Sequence, residues 1–444
     1  MWWLFRCDMK SRKLPSTALW VPALWLGILG CRPLSYWLGL AGLQTGGASN
    51  QEGNPVDLAF FLGLMIAAAI ILTRRKFDWQ AFILQNKVLV LTYAFLALSA
   101  TWAEQGFPTL KRSVKDFGCV LVALVLHSEK APFDAIKIVC VRLSYLLFPL
   151  SILFIKYYPD IGRVASRSGD AMFCGVAQHK NTLGLMVFVF GLVILADLIE
   201  LRQNQGKTRH RKEIRIRYLM LAMGLWLLIT CDSATSLLCF ILGCIIVWGT
   251  GRLLRTRSPQ RMLFRALGIL LIVLLIEGTF HPSVVIFQAL GRDATLTGRT
   301  EIWEMVKEAP TNPIVGCGFY SYWSTESALR ISEKYLGTLT TAHNGFLEMY
   351  LDGGFLGVGL LVALLLIGGK GAVRSMLAGT LFGRMMMTFW ILALIYNNSE
   401  TSFFRLEPLW FMLLVVIIDA RKLCPQRSAA VGDMQFPGLA LGRT

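Results

Sequence analysis

The chain has 444 residues, 55% of them hydrophobic and only 16% charged, with a formal charge of +17. Its mean hydropathy is +0.57. Soluble chains carry roughly 25% charged residues, and the repeated apolar runs here, about 18 to 23 residues long, match a bilayer-crossing helix, so a soluble globular enzyme is excluded. The runs are continuously apolar rather than alternating, which favours helices over a barrel. The Lys and Arg fall in short clusters between the runs, with no long basic tail and no interleaved aromatics. That excludes nucleic acid as a partner and fits the positive-inside pattern of membrane proteins.

In chain order, spans are predicted near 17–38, 56–73, 87–102, 114–128, 135–156, 181–199, 217–231, 234–250, 266–286, 345–368, 383–397 and 406–420. The expectation is an all-α, polytopic helix bundle of about twelve transmembrane helices. Every second connecting segment is basic, from Arg6, Lys10, Arg12 and Lys13 through Arg74–Lys76 and the 202–217 cluster to Arg421 and Lys422. The intervening segments are poorer in cations or carry acids, such as Asp57, Glu400 and Glu407. This alternation places both termini in the cytoplasm and the long polar loop between the ninth and tenth spans on the outer, periplasmic face. The chain divides into a membrane domain, 1–420, with an outward catalytic loop at 287–344 inside it, and a disordered cytoplasmic tail, 421–444. Spans seven and eight, separated only by Cys231, Asp232 and Ser233, are read as a tight outer turn rather than a re-entrant pair. The basic N-terminus leads into a retained first span, not a cleaved signal. The ten cysteines are scattered singles. Cys174 and Cys317 both fall in outward loops, which leaves a disulfide between them open.

Three stretches carry candidate chemistry. TGRTEIWEMVKEAP (297–310) reads as a short amphipathic helix with Arg299 in its first turn, where the helix dipole disfavours a cation unless an anion joins it. An ordinary solvated arginine is the alternative. His343 stands before Asn344, a cap for the helix beginning GFLEMYLDGG, whose free N–H groups suit a phosphate. The histidine either orients or deprotonates an acceptor, or merely hydrogen-bonds the cap. At the mouth of the sixth span, His179, Lys180 and Asn181 form a third candidate, with a snorkelling lysine as its alternative. Arg163 and Arg167 add positive charge on that side, as do Arg112 and Lys115. Together these cations break the positive-inside trend locally, which a bound polyanion such as a lipid diphosphate would explain. No metal constellation, P-loop or dinucleotide fingerprint occurs, so no metal and no cofactor is expected.

GRDATLTGRTEIWEMV, NPIVGCGFYSYW and AHNGFLEMYLDGGFLGVGLL, in that order, resemble the signature of the bacterial O-antigen ligase/polymerase family. LGCRPLSYWL, LSATWAEQGFPTLKRS, GVAQHKNTLG and CDSATSLL are similar to its exopolysaccharide branch, the one with succinoglycan-type polymerases. The resemblance implies a metal-independent membrane glycosyltransferase of the inner membrane, acting on undecaprenyl pyrophosphate-linked oligosaccharide at the periplasmic face. Residue by residue it implies that Arg299 holds the pyrophosphate and His343 orients or deprotonates the acceptor, with Lys180 standing where the ligases place an arginine. It further implies membrane lipids, a flippase and a chain-length regulator as partners. Polymerisation is the expected reaction. Ligation of a finished glycan to lipid A-core is the rival, and a flippase or transporter is a second one, disfavoured because the spans hold few ionisable groups beyond Arg142 and Glu277.

Overall fold

The structure, a computed structural model, describes residues 4–6, 8, 16–43, 54–165, 169–203, 210–254, 311–334 and 340–420, and single positions at 258, 261, 268, 302, 303 and 306. The expected ninth span apart from position 268, Arg299, Arg167, Glu277 and the tail 421–444 lie outside the described residues.

Apolar runs set the helices, and polar residues set their ends. The first run gives α1 (Trp20–Leu29) and α2 (Leu34–Leu40), not one straight span, because Arg32 and Pro33 interrupt it and the two halves meet at 76°. Then come α3 (Pro55–Arg74), capped by Asn54 with Pro55 in its first turn, and the bent pair α4 (Trp79–Gln85) and α5 (Lys87–Leu98). They are followed by α6 (Gly106–His127), α7 (Pro132–Tyr157), a two-stranded hairpin β1 (Arg163–Ala165) and β2 (Ala171–Phe173), and α8 (Lys180–Gln203). The remaining elements are α9 (His210–Thr230), α10 (Ala234–Leu253), α11 (Glu326–Lys334), α12 (Gly345–Leu377), α13 (Leu381–Tyr396) and α14 (Pro408–Ile417).

The chain is an all-α, multi-pass membrane protein. Among the described residues, five helices (α3, α7, α8, α10 and α12) are long and apolar enough to cross a membrane, and the two bent pairs raise that to seven. Helices α6, α9, α13 and α14 coincide with expected spans without meeting that measure of length and composition. The core runs along α8, whose apolar stretch is 83% buried against α7, α9, α10, α13 and α14. By contrast α3 is only 22% buried, so its side chains face outward, as lipid allows. Ile66, Ile245 and Leu366 stand exposed around the bundle in the same way.

Two features brace the two ends. At one end, buried Asp8 accepts from Arg142 Nε at 2.7 Å and lies 3.4 Å from Arg217, which also donates to Asp197 at 2.7 Å. Arg142, expected as a rare charge within a span, is therefore part of an ionic knot that ties the first residues to α7, α8 and α9. At the other end α12 is broken at Gly354, whose φ of 59° and ψ of −160° suit glycine alone. The segment Pro313–Gly318 lies against the break and takes up its loose backbone groups. Cys317 N–H donates to Leu351 O and Gly318 N–H to Asp352 O, while Phe355 and Leu356 N–H donate to Pro313 and Ile314 O, all between 2.8 and 3.0 Å. A Cβ on Gly354 would stand 2.3 Å from the Ile314 carbonyl carbon, and one on Gly316 2.5 Å from Gly353 N. The glycines of NPIVGCG and LDGG thus serve one another.

Candidate active site

The loops before α6, α8 and α10 gather with 311–324, 340–344 and 397–407 at the broken end of α12. His343 sits there in a left-handed conformation (φ 51°), a costly one for a non-glycine residue and commonest where geometry is enforced by function. Asn344 caps α12, its Oδ1 accepting from Phe346 and Leu347 N–H at 3.0 Å each. Gly345 N–H donates to Asn397 O and Glu348 N–H to Asn344 O. The first-turn amides expected to be free for a phosphate are thus all taken, because the neighbouring loop and the cap reach them first.

The imidazole faces a carboxylate. His343 Nδ1 lies 3.1 Å from Glu400 Oε2, and the other oxygen of Glu400 accepts from Asn181 Nδ2 at 2.7 Å. Glu400 is 8% exposed at its side chain and His343 32%, so the carboxylate is enclosed and the ring is open on its other edge. An ionised carboxylate only accepts, so Nδ1 carries a proton and Nε2 keeps its lone pair toward the opening. Such an arrangement can serve as an oriented base, since a buried acid beside one ring nitrogen leaves the other on the open edge.

A second carboxylate holds the turn that presents His343. Glu348 accepts from Ala342 N–H at 2.7 Å, Trp323 Nε1 at 2.7 Å and Arg405 Nη2 at 2.5 Å. Arg405 also faces Asp352 at 3.6 Å and lies 3.5 Å from the centre of the Tyr320 ring. Tyr320, itself at φ 57°, donates its N–H to Asp352 Oδ1, and its carbonyl accepts from Arg112 Nη1 at 2.6 Å. Trp303 Nε1 donates to Ala342 O at 2.6 Å, which joins that indole to the same turn. Burial works against the charge of Arg405, but Tyr320, Glu348 and Asp352 outweigh it and raise its pKa above the usual guanidinium value. Burial, reinforced by Glu400 and opposed by Arg405, pushes the Glu407 carboxyl up to about 8.

Of the residues expected from sequence, His343, Asn344, Asn181 and His179 come together. Burial, with the neighbouring His343 and the charge of Arg32, lowers the pKa of His179 below the usual imidazole value. Lys180 is turned away to Asp232, 3.6 Å from its carboxylate and 3.2 Å from its carbonyl oxygen. Arg163 donates through Nε and Nη2 to Ile155 O at 3.0 and 2.9 Å, closing the turn after α7 rather than facing His343. Cys174 and Cys317 are both free, so the disulfide left open by sequence does not form. Glu400, Glu348 and Arg405 were not foreseen. The signal of Glu400 and Arg405 was present in NNSETSFFRLEP, a polar stretch between two apolar helices, and that of Glu348 in GFLEMYLDGG, but nothing local says which partner each would meet.

Comparison with known proteins bears on this geometry. Residues 218–362 match the O-antigen ligase family, and that match covers the turn at His343 and the broken first part of α12. The chain is also 27% identical over 224 residues to the exopolysaccharide production protein ExoQ of Rhizobium meliloti (strain 1021), which covers 48% of this chain and 51% of the relative. It thus spans about half the length of the curated relative it matches. With this matched segment set in a bundle of apolar helices, the chain is similar to the O-antigen ligase family over residues 218–362.

Proposed function

We propose that the protein is a polysaccharide polymerase that joins oligosaccharide repeats carried on undecaprenyl diphosphate, at the periplasmic face of the inner membrane. The observation that carries this reading is His343 held by buried Glu400, which Asn181 steadies from α8. The exopolysaccharide production named for the relative favours chain growth over transfer to lipid A-core.

In the proposed step the hydroxyl oxygen of an acceptor glycan attacks the anomeric carbon of the donor's first sugar. The bond from that carbon to the diphosphate oxygen breaks, and its electron pair stays on the departing undecaprenyl diphosphate. The hydroxyl proton passes to His343 Nε2. The donor is already activated, so alignment and stabilisation of the departing charge suffice. Arg299 is the residue we assign to the diphosphate from the loop, with Asn344 shaping the turn. A flippase that delivers the donor and a regulator of chain length are the partners this role calls for.

The test is made in cells that lack the native protein. His343→Ala and Arg299→Ala should both insert normally and yield single repeats in place of polymer. If lipid-linked polymer accumulates instead, the protein is a ligase. If purified protein moves a labelled lipid-linked sugar across vesicles without joining sugars, it is a flippase and the enzymatic reading fails.

A further inference from the structure

Arg32 occupies the bend between α1 and α2 and is 6% exposed. Its backbone N–H donates to Val176 O at 3.0 Å, which ties the bend to the loop leading into His179 and α8. Its Nη1 donates to Tyr36 Oη at 2.5 Å, and its guanidinium lies 4.5 Å from the centre of that ring. Among the described residues no carboxylate pairs with it. Asp57 on α3 is committed to Ser35, accepting from the N–H at 2.9 Å and from Oγ at 2.6 Å. A buried guanidinium without a counter-charge is strongly unfavourable unless an anion joins it. The neighbouring cations cannot share that anion as the chain stands, since Lys180 is held by Asp232 and Arg163 by Ile155 O. His179 lies within electrostatic reach of both Arg32 and His343, which links the bend to the candidate base.

We propose that Arg32, with His179 on the loop tied to it through Val176, grips the diphosphate of the lipid-linked donor from the α1–α2 side of His343. The proposal rests on the polymerase reading above and adds a binding residue that lies outside the loop. The planar guanidinium offers parallel N–H donors to oxygens of one or two phosphates, a contact lysine cannot reproduce. Held there, the diphosphate keeps a fixed counter-charge as its ester bond to the sugar breaks, while the acceptor proton leaves on the opposite side through His343.

The experiment uses the full-length protein in nanodiscs, with binding of undecaprenyl diphosphate, undecaprenyl monophosphate and inorganic diphosphate measured for wild type, Arg32→Lys and Arg32→Gln. Arg32→Gln should weaken undecaprenyl diphosphate about tenfold or more, as loss of a charge-assisted contact implies. Arg32→Lys should lose less, and the monophosphate should be affected less than the diphosphate. Inorganic diphosphate should compete in wild type and fail to do so in Arg32→Gln if the headgroup chemistry alone is read. Should it fail to compete in wild type while the lipid still depends on Arg32, the ligand is the lipid-anchored form. A second arm leaves Arg32 in place. Alkylation of His179→Cys, read at that peptide by mass spectrometry, should be slowed by undecaprenyl diphosphate and not by undecaprenol. Equal affinity of Arg32→Gln and wild type, or no protection at position 179, overturns the proposal. If wild type itself does not bind undecaprenyl diphosphate, the polymerase reading falls with it.

Discussion

Replacing Glu400 by glutamine changes the site by one charge and almost no volume. In the native arrangement the carboxylate accepts from Asn181 at 2.7 Å and faces His343 Nδ1 at 3.1 Å. Glutamine can keep one of these contacts with its oxygen, but its amide NH2 then turns to the ring. Nδ1 becomes the acceptor, the ring proton moves to Nε2, and the base loses its lone pair on the open edge. A hydrogen bond to a charged group contributes about 1.5 to 3 kcal/mol, so with tenfold in rate per 1.36 kcal/mol kcat should fall about 10- to 150-fold. Loss of the whole base in His343→Ala should cost about 100- to 10,000-fold. The assay is repeat-unit joining by purified protein with lipid-linked donor, read as a ladder on a gel, with the KM for donor expected to hold. A Glu400→Gln ladder that grows at the wild-type rate would refute the role of this carboxylate, as would a loss confined to KM.

Three further outcomes follow from the same cluster. Glu407 binds its proton more tightly folded, at about 8, than a free glutamate does, so wild type should lose stability as pH rises from about 4.5 toward 8, relative to Glu407→Gln. Melting curves across that range should show the gap moving in favour of the variant, and a gap independent of pH would contradict it. Arg405→Ala leaves Glu348 and Asp352 as uncompensated buried acids, so the folded state should lose about 3 to 5 kcal/mol, seen as a lowered melting temperature. A wild-type melting temperature would show that the pairs contribute nothing. Gly354→Ala must adopt a left-handed backbone that alone costs about 1 to 3 kcal/mol, and its Cβ would press on Ile314. The yield of monodisperse protein should collapse, and normal yield would argue against the clasp at the break.

Local rules made much of this architecture legible. Continuous apolar runs located the helices, and Asn344 could be named as a cap because a side-chain acceptor before an apolar helix has one use. Lys180, in contrast, looked like an unbalanced cation at a helix start, and only the turn between α9 and α10 brings Asp232 to it. Arg163 was read for its charge, whereas it spends its donors on a carbonyl eight residues back. Glu400 is 57 positions from His343, and Arg405 as far from Glu348, so neither pairing leaves a periodic trace. Arg32 was hidden for a different reason. It lies inside the run predicted as one span at 17–38 and was not singled out, whereas the structure breaks that run by 76° and buries Arg32 at the bend.

The clasp between Pro313–Gly318 and the interrupted part of α12 also dictates an order of assembly. The amides of Phe355 and Leu356 find their acceptors on a segment synthesised some forty residues earlier, outside the helix that needs them. In hydrocarbon an unmet backbone amide costs several kcal/mol. The tenth predicted crossing is therefore incomplete by itself and can settle only after the preceding loop has been delivered to its side of the bilayer. Under the proposed function, biogenesis and catalysis then share one checkpoint, since the helix that needs this docking to rest in lipid is the one whose start carries the histidine.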